Sequence, residues 1–336
     1  MHKVPLRQLP EEFRDFTGTL LIGLGFDQRC LAVLSNFPRD KACKIIGVSN
    51  VGGGEQTQKK IDEFRRLVGS EDAVVGQGAM NVIEVADLLS QQLTVALADS
   101  AAKLVIDITS LSHELLVLLL GMLHELGGLN RTSLIYVGAA GYSTNTEQNS
   151  MWLSRGVRDV RSVLGFPGTM LPSRKLHLII LTGFEVERAS EVILRYEPAS
   201  ISIGMGAKEQ SISDSHHCKN KEFFDGIAAF ATAQDYGTDD VSQFSFSCIS
   251  PTETRDQLVA HINELGGFSQ KNLVVCPLNT KLSTVGVVLA ALEYPDIQIC
   301  YAEPEEYNAD GYATPGDEAT IVSLSKYRCQ PSYSSR

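Results

Sequence analysis

Two short motifs put charge and hydrogen-bonding groups directly after apolar, strand-like runs, where an open parallel sheet gathers its ligands. The first is Gly25-Phe26-Asp27-Gln28-Arg29, echoed by Gly183-Phe184-Glu185-Val186-Glu187-Arg188. Asp27 and Glu185 suit a helix start, where a carboxylate meets free N–H groups and the positive end of the dipole. Arg29 and Arg188 do not, because that dipole disfavours a cation in the first turn. An anionic ligand such as phosphate, shared by arginine and helix N–H groups, accounts for both. An ion pair with the neighbouring acid, or across a domain interface, accounts for them as well. The second motif is Asp107-Ile108-Thr109-Ser110-Leu111-Ser112-His113, matched by Cys276-Pro277-Leu278-Asn279-Thr280-Lys281-Leu282-Ser283. Thr109, Ser110 and Asn279 are in part ordinary capping groups. His113 and Lys281 are additions that capping does not require. Lys281 is therefore a phosphate candidate, and Asp107 and His113 are the candidates for acid–base catalysis. Cys276 in place of Asp107 argues against a symmetric acid–base pair.

Other groupings carry less chemistry. Tyr136 and Tyr142 stand six apart, as do Tyr301 and Tyr307. Tyr142 and Tyr307 suit stacking on bases or plain interface packing. Gly23-Leu24-Gly25 opens like a dinucleotide fingerprint, but Gln28 stands where its third glycine belongs. Gly52-Gly53-Gly54 lacks the Gly-Lys-Ser/Thr of a P-loop. The only cluster resembling metal ligands, Asp214-Ser215-His216-His217-Cys218, has no second ligand pair at zinc spacing, and reads as a surface insertion. Arg155, Arg158 and Arg161 recur every three residues beside the single tryptophan, Trp152. They form a basic stripe for nucleic acid or an acidic partner surface, or a solvated helix face. No Ser-His-Asp set or H-E-x-x-H is present. No cofactor and no metal are expected.

Positioning these groups requires a scaffold, and the pattern is that of an α/β chain. Apolar strands alternate with helix-length amphipathic stretches, the sign of a mostly parallel sheet. Strands are predicted at 19–24, 43–49, 104–108, 134–137, 178–181, 200–204, 272–275 and 297–301. Helices are predicted at 29–36, 56–68, 82–98, 113–126, 188–195, 254–265 and 283–292. The paired motifs keep one order, with an offset drifting from 158 to 165 residues. Two tandem Rossmann-like domains with mostly parallel sheets, related by internal duplication and a pseudo-two-fold, are thus predicted. The first spans 1–150 and the second 176–329. A basic linker or helix at 151–175 joins them, and a disordered tail occupies 330–336.

The 336 residues include 43% hydrophobic and 21% charged, enough to bury real cores. A net charge of −11 argues against broad binding to nucleic acid or anionic membrane. Seven scattered cysteines without a C-x-x-C pair, and a mostly polar stretch from Met1 to Asp15, fit a cytoplasmic protein without a leader. The longest apolar run, near Leu115 to Leu123, falls short of the roughly 20 residues of a membrane span, so no membrane partner is expected.

A strand followed by Asp107-Ile108-Thr109-Ser110 and a long apolar helix resembles the signature loop of CARF domains, Rossmann-like sensors of cyclic oligoadenylate in CRISPR systems. CARF loops often carry Thr-Gly-Gly or Thr-His-Gly where this chain has Thr109-Ser110-Leu111. The tandem arrangement is similar to SAVED domains, which resemble two fused CARF units and sense cyclic oligonucleotides in anti-phage defence. The resemblance implies a nucleotide-binding sensor, oligomeric or joined to a separate effector chain. Arg29, Arg188, Lys281, Thr109, Ser110, Tyr142 and Tyr307, with Asp27 and Glu185, would then line one cleft for a phosphate-containing small ligand or oligonucleotide. An enzyme acting on a nucleotide or phosphorylated small molecule, and a scaffold subunit of a multiprotein complex, are the alternatives.

Overall fold

The computed structural model describes residues 1–38, 43–142, 153–233, 241–309 and 313–327. The chain divides into two compact units: Met1–Ser150 with Ala309–Arg336, and Met151–Asn308. The second is therefore inserted into the first. Each is a mixed α/β body around a mostly parallel sheet.

In the first unit the elements run β1 (His2–Pro5), α1 (Leu9–Glu12), β2 (Gly18–Leu24), α2 (Ala32–Asn36), β3 (Cys43–Ser49) and α3 (Glu55–Val68). They continue with β4 (Val74–Val75), α4 (Val82–Leu97), β5 (Lys103–Asp107), α5 (His113–Glu125) and β6 (Thr132–Tyr142). The second unit holds β7 (Ser154–Pro167), β8 (Lys175–Leu181), α6 (Val186–Tyr196), β9 (Ser200–Gly206), α7 (Asp214–Ala233) and β10 (Val241–Phe246). It closes with α8 (Pro251–Glu264), β11 (Lys271–Pro277), α9 (Lys281–Glu293) and β12 (Ile297–Tyr307), after which β13 (Ala313–Ser323) returns to the first.

The sheets are ordered β1-β13-β6-β5-β2-β3-β4 and β10-β9-β8-β11-β12-β7. After an antiparallel edge strand, β1 or β7, the parallel part of each path starts in the middle, at β2 or β8, runs outward through two strands, and returns to the other side of its start. The order thus reverses between β2 and β5 and again between β8 and β11. Central strands are apolar because both of their faces are covered: Leu104, Val105 and Ile106, and Leu178, Ile179 and Ile180, are all buried. Helices α5 and α9 are buried on almost every side, including Leu115 to Leu120 and Leu282 to Ala291, as expected for helices without a polar face. No described helix is long and apolar enough to cross a membrane.

Three expectations need correction. The segment expected as a basic linker or helix at 151–175 is mostly β7, paired antiparallel with β12. Val157 pairs with Pro304 and Asp159 with Glu303, so Arg158 is an extra, bulged residue in a strand, and the three-residue spacing of the arginines is not a helical one. The segment 313–323, assigned to the second domain, pairs instead with β6 of the first sheet. Pro315 and a register shift conceal it as a strand. The supposed surface insertion at Asp214–Cys218 is the first turn of α7, the crossover helix between β9 and β10. Trp152 and the tail at 330–336 lie outside the described residues.

Candidate functional site

The two points where strand order reverses are where an open α/β sheet offers a crevice to a ligand. Both sequence motifs sit there. In the first unit, the loop after β2 meets the loop after β5. Gly25 allows this approach: a Cβ on it would lie 3.0 Å from the Ser110 carbonyl oxygen and 2.9 Å from Asn50 Nδ2. In the second unit the contact is tighter, and a Cβ on Gly183 would lie 1.7 Å from the Leu278 carbonyl oxygen. These glycines serve loop-on-loop packing.

The arginines find internal partners. Arg29 precedes α2 rather than opening it, and its Nε donates to Asp27 Oδ1 at 3.0 Å and Oδ2 at 3.1 Å. Its Nη1 donates to the Val137 carbonyl oxygen on β6 at 3.1 Å. Arg188, in the first turn of α6, repeats the arrangement. Nη1 donates to Glu185 at 2.6 Å, while Nε and Nη2 donate to the Ala302 carbonyl oxygen on β12 at 3.0 and 2.6 Å. Ser154 donates a further hydrogen bond to Glu185. Both arginines are buried, at 3% and 4% exposure. Burial opposes the charge on Arg188, but Glu185 and its neighbours hold the proton even more firmly than usual. The cation at the helix start thus meets a carboxylate and a strand carbonyl, the ion-pair alternative of the two raised by the motif.

Beneath the β5–α5 loop lies Asp107, completely buried. Its Oδ1 accepts from the Thr109 backbone N–H at 3.0 Å; Oδ2 has no hydrogen-bond partner. Burial first of all, with Asp27 adding to it, raises its proton affinity to a pKa of about 7 against hydrogen bonds from Thr109 and the Arg29 charge. Ser110 Oγ, three residues on, is also buried without a partner. Thr109 Oγ1 accepts from the Val137 N–H at 3.0 Å, so Val137 is gripped at its N–H by the loop and at its carbonyl by Arg29. The nearby Cys30 thiol is pushed up to about 12 by burial, and is inert as a nucleophile.

The outer part of each loop is more open. Ser112 caps α5, accepting from the Leu115 N–H at 3.1 Å, and His113 follows as its partly exposed first residue. Thr280 caps α9, accepting from the Ser283 N–H at 3.1 Å, and Lys281 is the partly exposed first residue there. Asn279 donates to the Thr182 carbonyl oxygen and accepts from the Thr280 N–H at 2.8 Å. Tyr307 and Tyr301 share a hydrogen bond at 3.1 Å within the second unit, with Arg188 above the Tyr301 ring. The side chain of Tyr142 lies outside the described residues.

Two asparagines that the sequence motifs do not include hold these loops. Asn50 donates to the Ser110 carbonyl oxygen at 2.6 Å and accepts from the Ser112 N–H at 2.8 Å. Asn220, fully buried on α7, donates to the Thr182 carbonyl oxygen at 2.7 Å and accepts from the Gly206 N–H at 2.8 Å. Asn50 directly follows β3, a position that could have marked it; nothing local marks Asn220. The basic stripe is engaged too: Arg158 and Arg161 pair with Glu303 at 3.4 and 2.7 Å. His216 packs against Phe184, and burial lowers its pKa to about 4, with His217 adding to the effect. Among the described residues no group of three or more His, Cys, Asp or Glu side chains could hold a metal ion.

No family model and no curated protein matches the chain. Among solved structures it is similar, at 13% identity and a TM-score of 0.18, to PLP-bound threonine synthase from Brucella melitensis. That alignment covers 89% of this chain and 62% of the other, so this chain spans less than two thirds of its length. A likeness so slight carries no argument about fold or activity.

Proposed function

We propose that this protein is a nucleotide- or oligonucleotide-binding sensor that reads its ligand at the carboxyl ends of its strands. The observation carrying this reading is the position of the β5–α5 and β11–α9 loops. Each lies at a strand-order reversal and ends in a hydroxyl-capped helix start bearing His113 or Lys281. Helix-start N–H groups beside a cation favour a phosphate. The groups with perturbed proton affinity, Asp107 and Cys30, are sealed beneath the loop, which favours binding over turnover. An enzyme with Asp107 as acid or base is the second reading, favoured by its raised proton affinity; it requires the loop to open. The pairing of Arg158 and Arg161 with Glu303 on β12 gives the scaffold reading little support.

Two further elements support a duplicated, Rossmann-like origin. Both sheets follow one connection order, and the arginine–acid–carbonyl trios Arg29/Asp27/Val137 and Arg188/Glu185/Ala302 recur in it. With the resemblance of the loop to CARF domains, this supports a reading in which the ligand is a cyclic oligonucleotide, the setting is antiviral defence and the partner is a separate effector chain.

Calorimetric titration with AMP, ATP, inorganic phosphate and cyclic tri- and tetra-adenylate tests this. We expect binding without turnover, weakened at least tenfold by Lys281→Glu. Turnover abolished by Asp107→Asn would establish the enzyme instead, and no binding by any probe would reject a nucleotide site.

A further inference from the structure

The amino-terminal ends of the second unit's strands, opposite the ends that carry the motifs, hold a buried polar chain. His177 is the third residue of β8, Ser200 and Ser202 are the first and third of β9, Ser242 is the second of β10, and Lys271 opens β11. His261 lies in the last turn of α8. His177 Nδ1 stands 2.6 Å from Ser200 Oγ and 3.5 Å from Lys271 Nζ, and its Nε2 stands 2.7 Å from Ser202 Oγ. That one serine oxygen is also 2.7 Å from His261 Nε2 and 2.6 Å from Ser242 Oγ. The outer nitrogen of His261 lies 3.8 Å from Glu264, and its ring stacks on Phe244 at 4.4 Å. Ser202 is fully buried.

Counting hydrogens orients the chain. An ammonium only donates, so His177 Nδ1 accepts and its Nε2 carries the hydrogen given to Ser202. Ser202 has one hydrogen and two lone pairs. With both rings neutral, it donates to His261 Nε2 and accepts from His177 and Ser242. Burial, then the Lys271 and His261 charges, drive the His177 pKa down to about 3. Burial also lowers that of His261, yet Glu264 works the other way, so His261 takes a proton first. Its Nε2 then becomes a donor. Ser202 must accept from both rings, and the acceptor left for its hydrogen is Ser242, whose own hydrogen can turn to the Ile201 carbonyl oxygen at 3.4 Å. The charged groups facing the chain are Lys271 from β11 and Glu264 from α8; β9 and β10 contribute hydroxyls and the Phe244 ring.

We propose that His261, Ser202 and Ser242 form a single-proton switch in which protonation of His261 reverses the Ser202 hydroxyl from α8 toward β10. The test pairs ring NMR with one substitution. Nitrogen-detected titration of the intact protein should show His177 as a neutral, Nε2-protonated ring throughout while His261 gains a proton below the ordinary histidine range. Ser242→Ala removes a donor to Ser202 in the neutral state, which leaves only a spare lone pair, and the acceptor for the Ser202 hydrogen in the protonated state, which strands a buried donor. Its melting temperature should match the wild type within about 2 °C at pH 8, and fall below it by roughly 5 °C at a pH under the His261 midpoint. Ser242→Thr should restore it. Equal shifts at both pH values, no shift on the acid side, or His177 titrating before His261 would overturn the switch. Should the alanine variant not fold, the ring titration alone decides.

Discussion

Replacing Asp107 by asparagine gives the most direct measure of the isolation of its carboxyl group. In the folded chain this group is completely buried, with Oδ2 unpartnered and a pKa of about 7; its ordinary value is 3.8. Between those values the folded state keeps a proton that the unfolded state has released. Stability therefore falls as pH rises through this window. The interval corresponds to about 4 kcal/mol, at 1.36 kcal/mol per pH unit. Asparagine keeps the shape and the acceptor for the Thr109 N–H, and removes the titration. Its amide nitrogen brings two hydrogens to a position where the protonated acid has one, so one further buried donor lacks an acceptor, at a cost of about 1–3 kcal/mol. The variant should thus be less stable than the wild type by about 1–3 kcal/mol near pH 4 and more stable by a similar amount at pH 8. Urea unfolding followed by hydrogen exchange of the β5 and β6 amides reads the first unit specifically. A wild-type-minus-variant difference that stays constant from pH 4 to pH 8 would refute the reasoning.

The same geometry sets further outcomes. Arg188→Met leaves the partly buried Glu185 without its cation and the Ala302 carbonyl without its donors; chemical denaturation should show a loss of about 3 kcal/mol. Gly183→Ala drives a methyl into the Leu278 carbonyl oxygen and should prevent soluble expression. Gly54→Ala meets nothing within 4 Å, so its cost is confined to the poorer N-cap that alanine makes for α3, and the melting temperature should fall by no more than about 2 °C. A fragment of residues 151–308 contains every strand of its own sheet and should give a dispersed NMR spectrum alone. A fragment of residues 1–150 lacks β13, exposes the edge of β6, and should aggregate in light scattering.

Central strands and helix starts were legible because burial on both faces writes itself locally. The strand read at 43–49 is β3 from Cys43 to Ser49, and the helix read at 56–68 is α3 from Glu55 to Val68. Turn motifs after β2, β5, β8 and β11 were visible for the same reason, since Ser112 and Thr280 cap helices a few residues away. Edge strands were not. β7 bulges at Arg158 and β13 shifts register at Pro315, so neither shows a clean alternation of two.

What the linear chain determined alone was therefore the alternation of elements and the loops placed at strand ends. Tertiary structure decided what those loops' side chains do. The motif left Arg29 open to a ligand or to an ion pair; its carbonyl partner lies 108 residues away, and that of Arg188 lies 114 away. The Ser202 chain likewise joins β8, β9, β10, β11 and α8. A charge's partner and its burial are set by contacts between distant segments, and no local pattern of residues encodes them.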